Sequence, residues 1–177
     1  VTLSTIHSWC HYLLRTEGRV FEIVSGKEQI SMIRNLMKRK RLDLSVGTIL
    51  SEISLAKNNL IGVEEFRALY ESDKTMTKVA NIYESYEKEK AKKYLLDFDD
   101  LLLETYFLLN DHEDIRSKYA GRYHHILIDE FQDTNPVQLE IIKLIVDADN
   151  DNDKSYWIAG DDWQSIYSFA GASVNNI

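Results

Sequence analysis

Two consecutive carboxylates, Asp129 and Glu130, follow the short apolar run Ile126–Ile128. If that run is a β-strand, both acidic side chains lie at its carboxyl end. A carboxylate in this place can hold Mg²⁺, usually through water, and a second one can orient or deprotonate a water that attacks a phosphate. The pair alone is a weak signal for nucleotide hydrolysis, because acidic residues are disfavoured within strands and common at their ends.

The segments around this pair predict a parallel sheet. His124–Ile128 and Ser155–Ala159 have the apolar character of short buried strands, and Pro136 fits the first turn of a helix between them. A strand, a helix and a second strand, with polar groups at the strand ends, are typical of open α/β sheets, which bind ligands beyond the carboxyl ends of their strands. Residues 1–4 are predicted to end a further short strand, and residues 95–109 to form a helix.

The middle of the chain differs from both flanks in pattern and in charge. Residues 19–93 keep a helical apolar rhythm, as in Ile30, Ile33, Leu36 and Met37, and carry no strand signal. They contain 15 Lys and Arg against 11 Asp and Glu, a net charge of +4, whereas the remainder has 6 against 18, a net charge of −12. The basic middle suits either a phosphate-binding surface or an ordinary solvated one.

The composition narrows the class of protein. The formal net charge is −8, and the sequence has no apolar run long enough to cross a bilayer, so no membrane partner is expected. Cys10 is the only cysteine, which excludes an internal disulfide and indicates a reducing, cytoplasmic location.

Four segments in sequence order resemble the motifs of one protein family. Asp129–Asn135 resembles its motif II, and Gly160–Ala172 resembles its motif III. Thr5–Trp9 is similar to a Thr-x-His-Ser segment that lines the DNA path, and Leu96–Leu102 resembles the segment where the chain re-enters the motor domain after a helical insert. On these motifs the chain is similar to the UvrD/Rep family of superfamily 1 ATP-dependent DNA helicases, with a motif III closest to helicase IV-like members.

The resemblance implies an α/β fold in two parts. Residues 1–18 and 94–177 would form a partial RecA-like parallel sheet with flanking helices. Residues 19–93 would be an all-helical subdomain inserted into it.

The resemblance also implies a site for ATP and Mg²⁺. Asp129 would help to bind the metal ion, Glu130 would be the catalytic base, and Gln164 would sense the γ-phosphate and couple hydrolysis to DNA. All three residues would therefore contact the nucleotide or its metal ion.

A path for single-stranded or partially duplex DNA is implied as well. Tyr167 and Phe169 would provide base-stacking surfaces, while Thr5 and His7 would contact the strand. Aromatic rings grip bases whatever their identity, which suits a motor that steps along any sequence. Without the motif, the two aromatic residues fit ordinary core packing equally well, and His7 fits a polar residue at a helix start.

A phosphate-binding loop of the form Gly-x-x-x-x-Gly-Lys-[Ser/Thr] does not occur in the chain. The only Gly-Lys pair is Gly26-Lys27, which Glu28 follows, and Phe21 occupies the position of the earlier glycine. The resemblance implies that the loop lies upstream of Val1 and that a second motor domain with an arginine finger lies downstream, in a longer parent protein. We therefore expect no measurable ATP hydrolysis by the chain alone.

Two other functions compete with the helicase interpretation. The first is a non-catalytic nucleic-acid-binding module of the same fold, which the presence of Glu130 and Gln164 disfavours. The second is a metal-dependent nuclease that uses Asp129, Glu130 and Asp133. Nucleases of that kind need carboxylates converging from several elements, and the sequence supplies one contiguous cluster.

Overall fold

The computed structural model describes residues 1–40, 44–148 and 155–160. The helices in these ranges are α1 (Ile6–Thr16), α2 (Gly26–Lys40), α3 (Val46–Asn58), α4 (Val63–Leu69), α5 (Lys74–Lys92), α6 (Phe98–Asp111), α7 (Glu113–Ala120) and α8 (Pro136–Val146). The strands are β1 (Glu22–Ile23), β2 (Leu95–Leu96), β3 (His125–Ile128) and β4 (Ser155–Ile158), and a 3₁₀ helix spans Phe131–Asp133. None of the helices in the described ranges is long and apolar enough to span a membrane.

The strands pair as two small parallel sheets. β1 pairs with β2, and β3 pairs with β4 in the register Ile126 to Tyr156 and Ile128 to Ile158. The predicted strand–helix–strand unit is therefore present as β3, α8 and β4. The described chain is mostly helical with two parallel two-stranded sheets, which is compatible with the expected α/β class.

Three sequence-based expectations were wrong in detail. The stretch expected to be helical without interruption contains β1, whose backbone N–H at Glu22 donates to Tyr94 O at 2.8 Å. The helix expected from Leu95 begins at Phe98, because β2 uses residues 95–96 to pair with β1. Residues 1–4 form no strand, since no described strand pairs with them.

Polar side chains cap the first turns of α6 and α8 and so fix where these two helices begin. At α6, Asp97 Oδ1 accepts from Asp100 N at 2.9 Å, and Asp100 Oδ2 accepts from Asp97 N at 2.8 Å. At α8, Asn135 Oδ1 accepts from Gln138 N at 2.9 Å, and Pro136 occupies the first turn as expected. Such reciprocal caps satisfy backbone donors that the helix leaves unpaired.

The apolar side chains form two separate clusters. The first gathers buried residues from Val24 to Leu95, all from α2 to α5 and the strand ends beside them. The second joins α1, α6, α7 and α8 through buried residues such as Leu14, Leu102 and Ile141. The first cluster lies almost wholly within the predicted helical segment, and β1 and β2 lie where one cluster gives way to the other.

The sheet of β3 and β4 is more exposed than predicted. Leu127 is 76% exposed and Trp157 is 66% exposed, although both strands were expected to be buried. Of this sheet only Ile126 packs, partly buried, against the second cluster, and Tyr156, its partner in the register, is itself 61% exposed.

Candidate nucleotide and nucleic-acid site

The acidic pair lies at the carboxyl end of β3, as the sequence predicted. Asp129 and Glu130 follow Ile128 directly, and two backbone hydrogen bonds join this end to the end of β4. Ala159 N donates to Ile128 O at 2.8 Å, and Phe131 N donates to Ala159 O at 2.9 Å. The two carboxylates therefore lie on a turn whose flanking residues, Ile128 and Phe131, are both hydrogen-bonded to Ala159.

The backbone at Glu130 adopts a conformation that few side chains accept. Its φ is 51° and its ψ is 41°, in the left-handed region. The Glu130 side chain is held as well, because Gln132 Nε2 donates to Glu130 Oε2 at 2.6 Å. Glu130 N in turn donates to Asp129 Oδ1 at 3.0 Å. A non-glycine residue held in this region marks a backbone constrained by its surroundings, as at many functional sites.

The two acidic side chains are exposed to solvent, whereas several side chains that follow them are buried. Asp129 and Glu130 are exposed, whereas Phe131, Gln132 and Asn135 are buried. Exposed carboxylate oxygens are the ligands that Mg²⁺ prefers, and Mg²⁺ usually keeps several waters, which an open position permits. The donor chemistry at the tip of β3 therefore fits a Mg²⁺–nucleotide complex.

The end of β4 packs directly on the loop that carries the acids. A Cβ added at Gly160 would stand 2.7 Å from Gln132 Oε1 and 3.3 Å from Gln132 N. Gly160 is also the first residue of the Gly160–Ala172 segment, so that segment begins beside Gln132. The predicted site residues Gln164, Tyr167 and Phe169 lie outside the described residues.

Thr5 and His7 lie at the start of α1. Thr5 is the N-cap, and its Oγ1 accepts from Ser8 N at 3.2 Å. The His7 ring meets the Phe98 ring edge-on, with centroids 6.3 Å apart. Burial lowers the pKa of His7, and the charge of Asp99 opposes that shift. Phe98 is 53% exposed, so His7 borders an accessible aromatic surface at the start of α6.

A groove of about 210 Å³ is lined by the N-terminal segment, β3 and α8. Its lining includes Thr5 and Trp9 together with Ile126 and Ile141. Thr5 and the strand that delivers Asp129 and Glu130 therefore share one groove.

Sequence reasoning missed a buried contact between the acidic loop and the helical middle. Asn135 Nδ2 donates to Asn58 Oδ1 at 2.7 Å, and both side chains are buried. Asn58 is the last residue of α3, which lies within the predicted helical segment. Nothing in the spacing of Asn58 and Asn135 indicates this pairing, because they are far apart in the sequence.

A buried cluster of charges was missed too. Lys57 Nζ lies 2.8 Å from Asp97 Oδ2 and 2.6 Å from Asp100 Oδ1, and Lys90 Nζ lies 2.9 Å from Asp97 Oδ2 and also pairs with Asp100. Glu87 Oε1 lies within 2.9 Å of both ammonium groups. The two lysines are each 1% exposed. The cluster thus joins α3 and α5 to the start of α6.

Charge pairing determines the ionisation of this cluster. Burial opposes the charge on Lys57, but Asp97, Asp100 and Glu87 outweigh it and raise its pKa well above the usual value. Burial likewise opposes the charge on Asp97, yet Lys57 and Lys90 hold its pKa well below the usual range. Burial raises the pKa of Asp100 to about 6 against the attraction of Lys57.

The cluster is an ion-pair network in spite of its three acids. Among the described residues, Glu87, Asp97 and Asp100 are the one group of three acidic, histidine or cysteine side chains close enough to share a metal ion. Two ammonium groups already lie between their oxygens, which leaves no room for a cation. A sequence signal existed: Lys57 follows Ile53 by four residues, and Lys90 follows Tyr86 by four, so both lysines fall on buried helical stripes.

Comparison with known proteins matches the sequence of the chain to one family. The family model for the UvrD/REP helicase N-terminal domain matches residues 1–177. The chain is 32% identical over 186 residues to "ATP-dependent DNA helicase PcrA" of Bacillus subtilis, covering 100% of the chain and 24% of that protein. It is 33% identical over 189 residues to "Probable DNA helicase II homolog" of Mycoplasma capricolum, covering 99% of the chain and 25% of that protein.

A third relative agrees with the first two. The chain is 30% identical over 186 residues to "ATP-dependent DNA helicase PcrA" of Staphylococcus aureus, covering 100% of the chain and 25% of that protein. The chain spans about a quarter of the length of the curated relatives it matches. With a family model matched along its full length and relatives that share about a third of its residues, the chain belongs to the UvrD/REP helicase N-terminal domain family.

Proposed function

We propose that this chain is part of the first motor domain of an ATP-dependent DNA helicase that translocates 3′ to 5′. One observation carries the proposal: the loop bearing Asp129 and Glu130 is hydrogen-bonded to Ala159 and packed against Gly160. A carboxylate pair suited to hydrolysis therefore adjoins the start of the segment that we assign to DNA coupling. The names of the relatives, all DNA helicases, support the same function.

In this proposal three residues act on the nucleotide. Mg²⁺, when bound with ATP, neutralises charge on the phosphates. Asp129 binds the metal ion, through water or directly, from its exposed position after β3. Glu130 orients and deprotonates the attacking water, and its hydrogen bond from Gln132 holds the carboxylate in place. Gln164, four residues after Gly160 in the sequence, senses the γ-phosphate.

Four residues are proposed to contact DNA. Tyr167 and Phe169 stack on bases, and Thr5 and His7 touch the single strand. The edge-on contact of His7 with the half-exposed Phe98 supports an accessible surface there. Single-stranded or partially duplex DNA and ATP are the proposed partners.

The two apolar clusters support a division of the chain into a RecA-like part and a helical insert. We assign residues 1–18 and 94–177 to the first and residues 19–93 to the second. The proposed phosphate-binding loop and second motor domain belong to a longer parent protein. The chain alone is therefore proposed to hydrolyse no ATP, because Asp129 and Glu130 alone bind a Mg²⁺–nucleotide complex weakly.

The test compares ATP hydrolysis by the full-length protein with its Glu130→Gln variant, each with and without single-stranded DNA. We expect DNA to stimulate turnover, and Glu130→Gln to lower kcat by about 10²- to 10⁴-fold, the range for loss of a general base. ATP binding should persist, because the amide keeps the shape of the side chain.

Glu140→Gln on α8 is the matched control, since Glu140 pairs with Lys143 at the surface. It should leave kcat unchanged. Wild-type turnover without any response to DNA, or a Glu130→Gln variant as active as the wild type, would contradict the proposal.

The same protein separates the two rival functions. A nuclease would cut DNA with Mn²⁺ in the absence of ATP, and a binding module would bind DNA without hydrolysing ATP. In the described residues, Asp129, Glu130 and Asp133 do not bring three carboxylates together as a metal cluster, which disfavours the nuclease. We expect neither rival outcome.

A further inference from the structure

The side chain of Asn58 is a fully occupied hydrogen-bonding centre between two parts of the fold. It is 2% exposed, and its Oδ1 accepts from Asn135 Nδ2 at 2.7 Å. Its Nδ2 donates to Asp99 Oδ1 at 3.2 Å and to Ser54 Oγ at 3.2 Å. Both amide hydrogens and the carbonyl oxygen are thus engaged, which fixes the orientation of the amide.

Asn135 connects this centre to the acidic loop. Its Oδ1 caps α8 by accepting from Gln138 N, so its Nδ2 must face Asn58. Asn135 follows the 3₁₀ helix that carries Gln132, the residue that donates to Glu130. Asn135 thus lies five residues after Glu130 in the loop that begins at the end of β3.

Asp99 connects the same centre to the surface at α1. It follows Phe98, whose ring contacts His7, and its charge acts on His7. Asp99 is itself buried enough that desolvation, with the charge of Asp97, raises its pKa. Its hydrogen bonds from Asn58 and Ser54 oppose that shift, and the one from Asn58 ties the carboxylate that follows Phe98 to α3.

The buried amides of Asn58 and Asn135 are costly to separate from their partners. Breaking one contact leaves a buried donor or acceptor unpaired, at a cost of about 1–3 kcal/mol. The hydrogen bonds that Asn58 makes therefore resist any displacement of Asn135 or Asp99 that would break them. Hydrogen bonds join Glu130 to Gln132, Asn135 to Asn58 and Asn58 to Asp99, and three residues of chain connect Gln132 to Asn135.

We propose that Asn58 is a positioning residue that couples DNA at the His7–Phe98 surface to ATP hydrolysis at Glu130. This inference rests on the proposed helicase function and adds to it a residue from the helical segment. Asn58 contacts neither nucleotide nor DNA in this account; it acts by holding Asn135 and Asp99 in one arrangement.

The test measures one ratio in the full-length protein: kcat for ATP with saturating single-stranded DNA divided by kcat without DNA. Asn58→Asp keeps the size of the side chain and the acceptor for Asn135, but places a carboxylate against Asp99. We expect the ratio to fall about tenfold, within the usual range of coupling between two sites. A purely structural defect would lower both rates together and leave the ratio intact.

Rescue gives a second readout. Combining Asn58→Asp with Asp99→Asn exchanges donor and acceptor between the two positions and restores the hydrogen bond in reverse. We expect the double variant to recover most of the ratio, whereas independent effects would add. Asn59→Asp, the same substitution on the neighbouring exposed residue, should leave the ratio unchanged.

Asn135→Asp covers the case in which Asn58→Asp does not fold. Aspartate caps a helix as well as asparagine does, so this variant keeps the cap and replaces the donor to Asn58 with a carboxylate oxygen. It should lower the ratio as Asn58→Asp does. Folded variants with the wild-type ratio would overturn the inference alone, whereas a wild-type protein without DNA-stimulated turnover would overturn the proposed function.

Discussion

Gly160 lies so close to Gln132 that a Cβ at Gly160 would stand 2.7 Å from Gln132 Oε1. Gln132 has no exposed surface, and its Nε2 holds Glu130 Oε2 at 2.6 Å. A side chain at Gly160 would therefore have to displace the Gln132 amide that holds the Glu130 carboxylate. This relationship ties the carboxyl end of β4 to the chemistry proposed at the end of β3.

Gly160→Ala is expected to displace Gln132 and release Glu130. The added methyl group crowds the buried Gln132 side chain, which should lower the free energy of unfolding by about 1–3 kcal/mol. ATP turnover of the full-length protein should fall with it, because the proposed base loses its orienting hydrogen bond. Urea unfolding and steady-state ATP hydrolysis measure the two effects.

Gly47→Ala is the control for that experiment. A Cβ at Gly47 would have Ser45 Oγ as its nearest neighbour at 3.7 Å, an ordinary contact, and Gly47 lies within α3. Alanine should therefore be neutral or stabilise the helix by up to about 1 kcal/mol. If both alanine variants behave alike, the close packing at Gly160 has no consequence.

The left-handed backbone at Glu130 makes a second prediction. Glycine adopts a φ of 51° without strain, whereas alanine does not, so Glu130→Gly should be more stable than Glu130→Ala by about 1 kcal/mol. The order should reverse at Lys88, which is exposed in the middle of α5, where glycine weakens the helix by about the same amount. Chemical denaturation of the four variants measures both differences, and the same order at both positions would exclude strain at Glu130.

The sequence predicted the part of the site that depends on neighbours along the chain. The strand before Asp129, the turn into Pro136 and the parallel strand after it follow from apolar runs and capping residues, which are local signals. The acidic pair at a strand end was predicted for the same reason. Its chemistry became specific only through the resemblance to a family.

Contacts between distant segments were not predictable in this way. Asn58 looks like a polar residue at a helix end, and only the fold brings it to Asn135. Two-residue strands such as β1 and β2 have no periodicity to detect, so the segment from residue 19 onward was predicted as helix alone. The exposure of Leu127 is a prediction that failed for a related reason. An apolar strand predicts a buried face, but the sequence does not tell whether another element covers that face.

Cys10 should be chemically inert in the folded protein. It has no exposed surface, and burial raises the pKa of its thiol to about 12. Only about one molecule in ten thousand then carries a thiolate at pH 8, and the thiolate is the reactive form. A thiol reagent such as DTNB should leave the native chain unmodified at pH 8 and titrate one thiol in denaturant. Rapid labelling of the native chain would show that α1 does not pack as described.

The buried ion network gives the largest expected loss of stability. Lys57→Met removes one of two ammonium groups that face Asp97, Asp100 and Glu87, and leaves buried carboxylates without their partner. Breaking a buried pair from one side costs about 3–5 kcal/mol, because the remaining charge stays desolvated.

Arg39→Met is the matched control, since the Arg39 side chain is 69% exposed and its pair with Glu89 lies at the surface. It should cost less than about 1 kcal/mol. Urea unfolding of the 177-residue chain measures both values, and equal losses for the two variants would mean that solvent reaches the network and screens it.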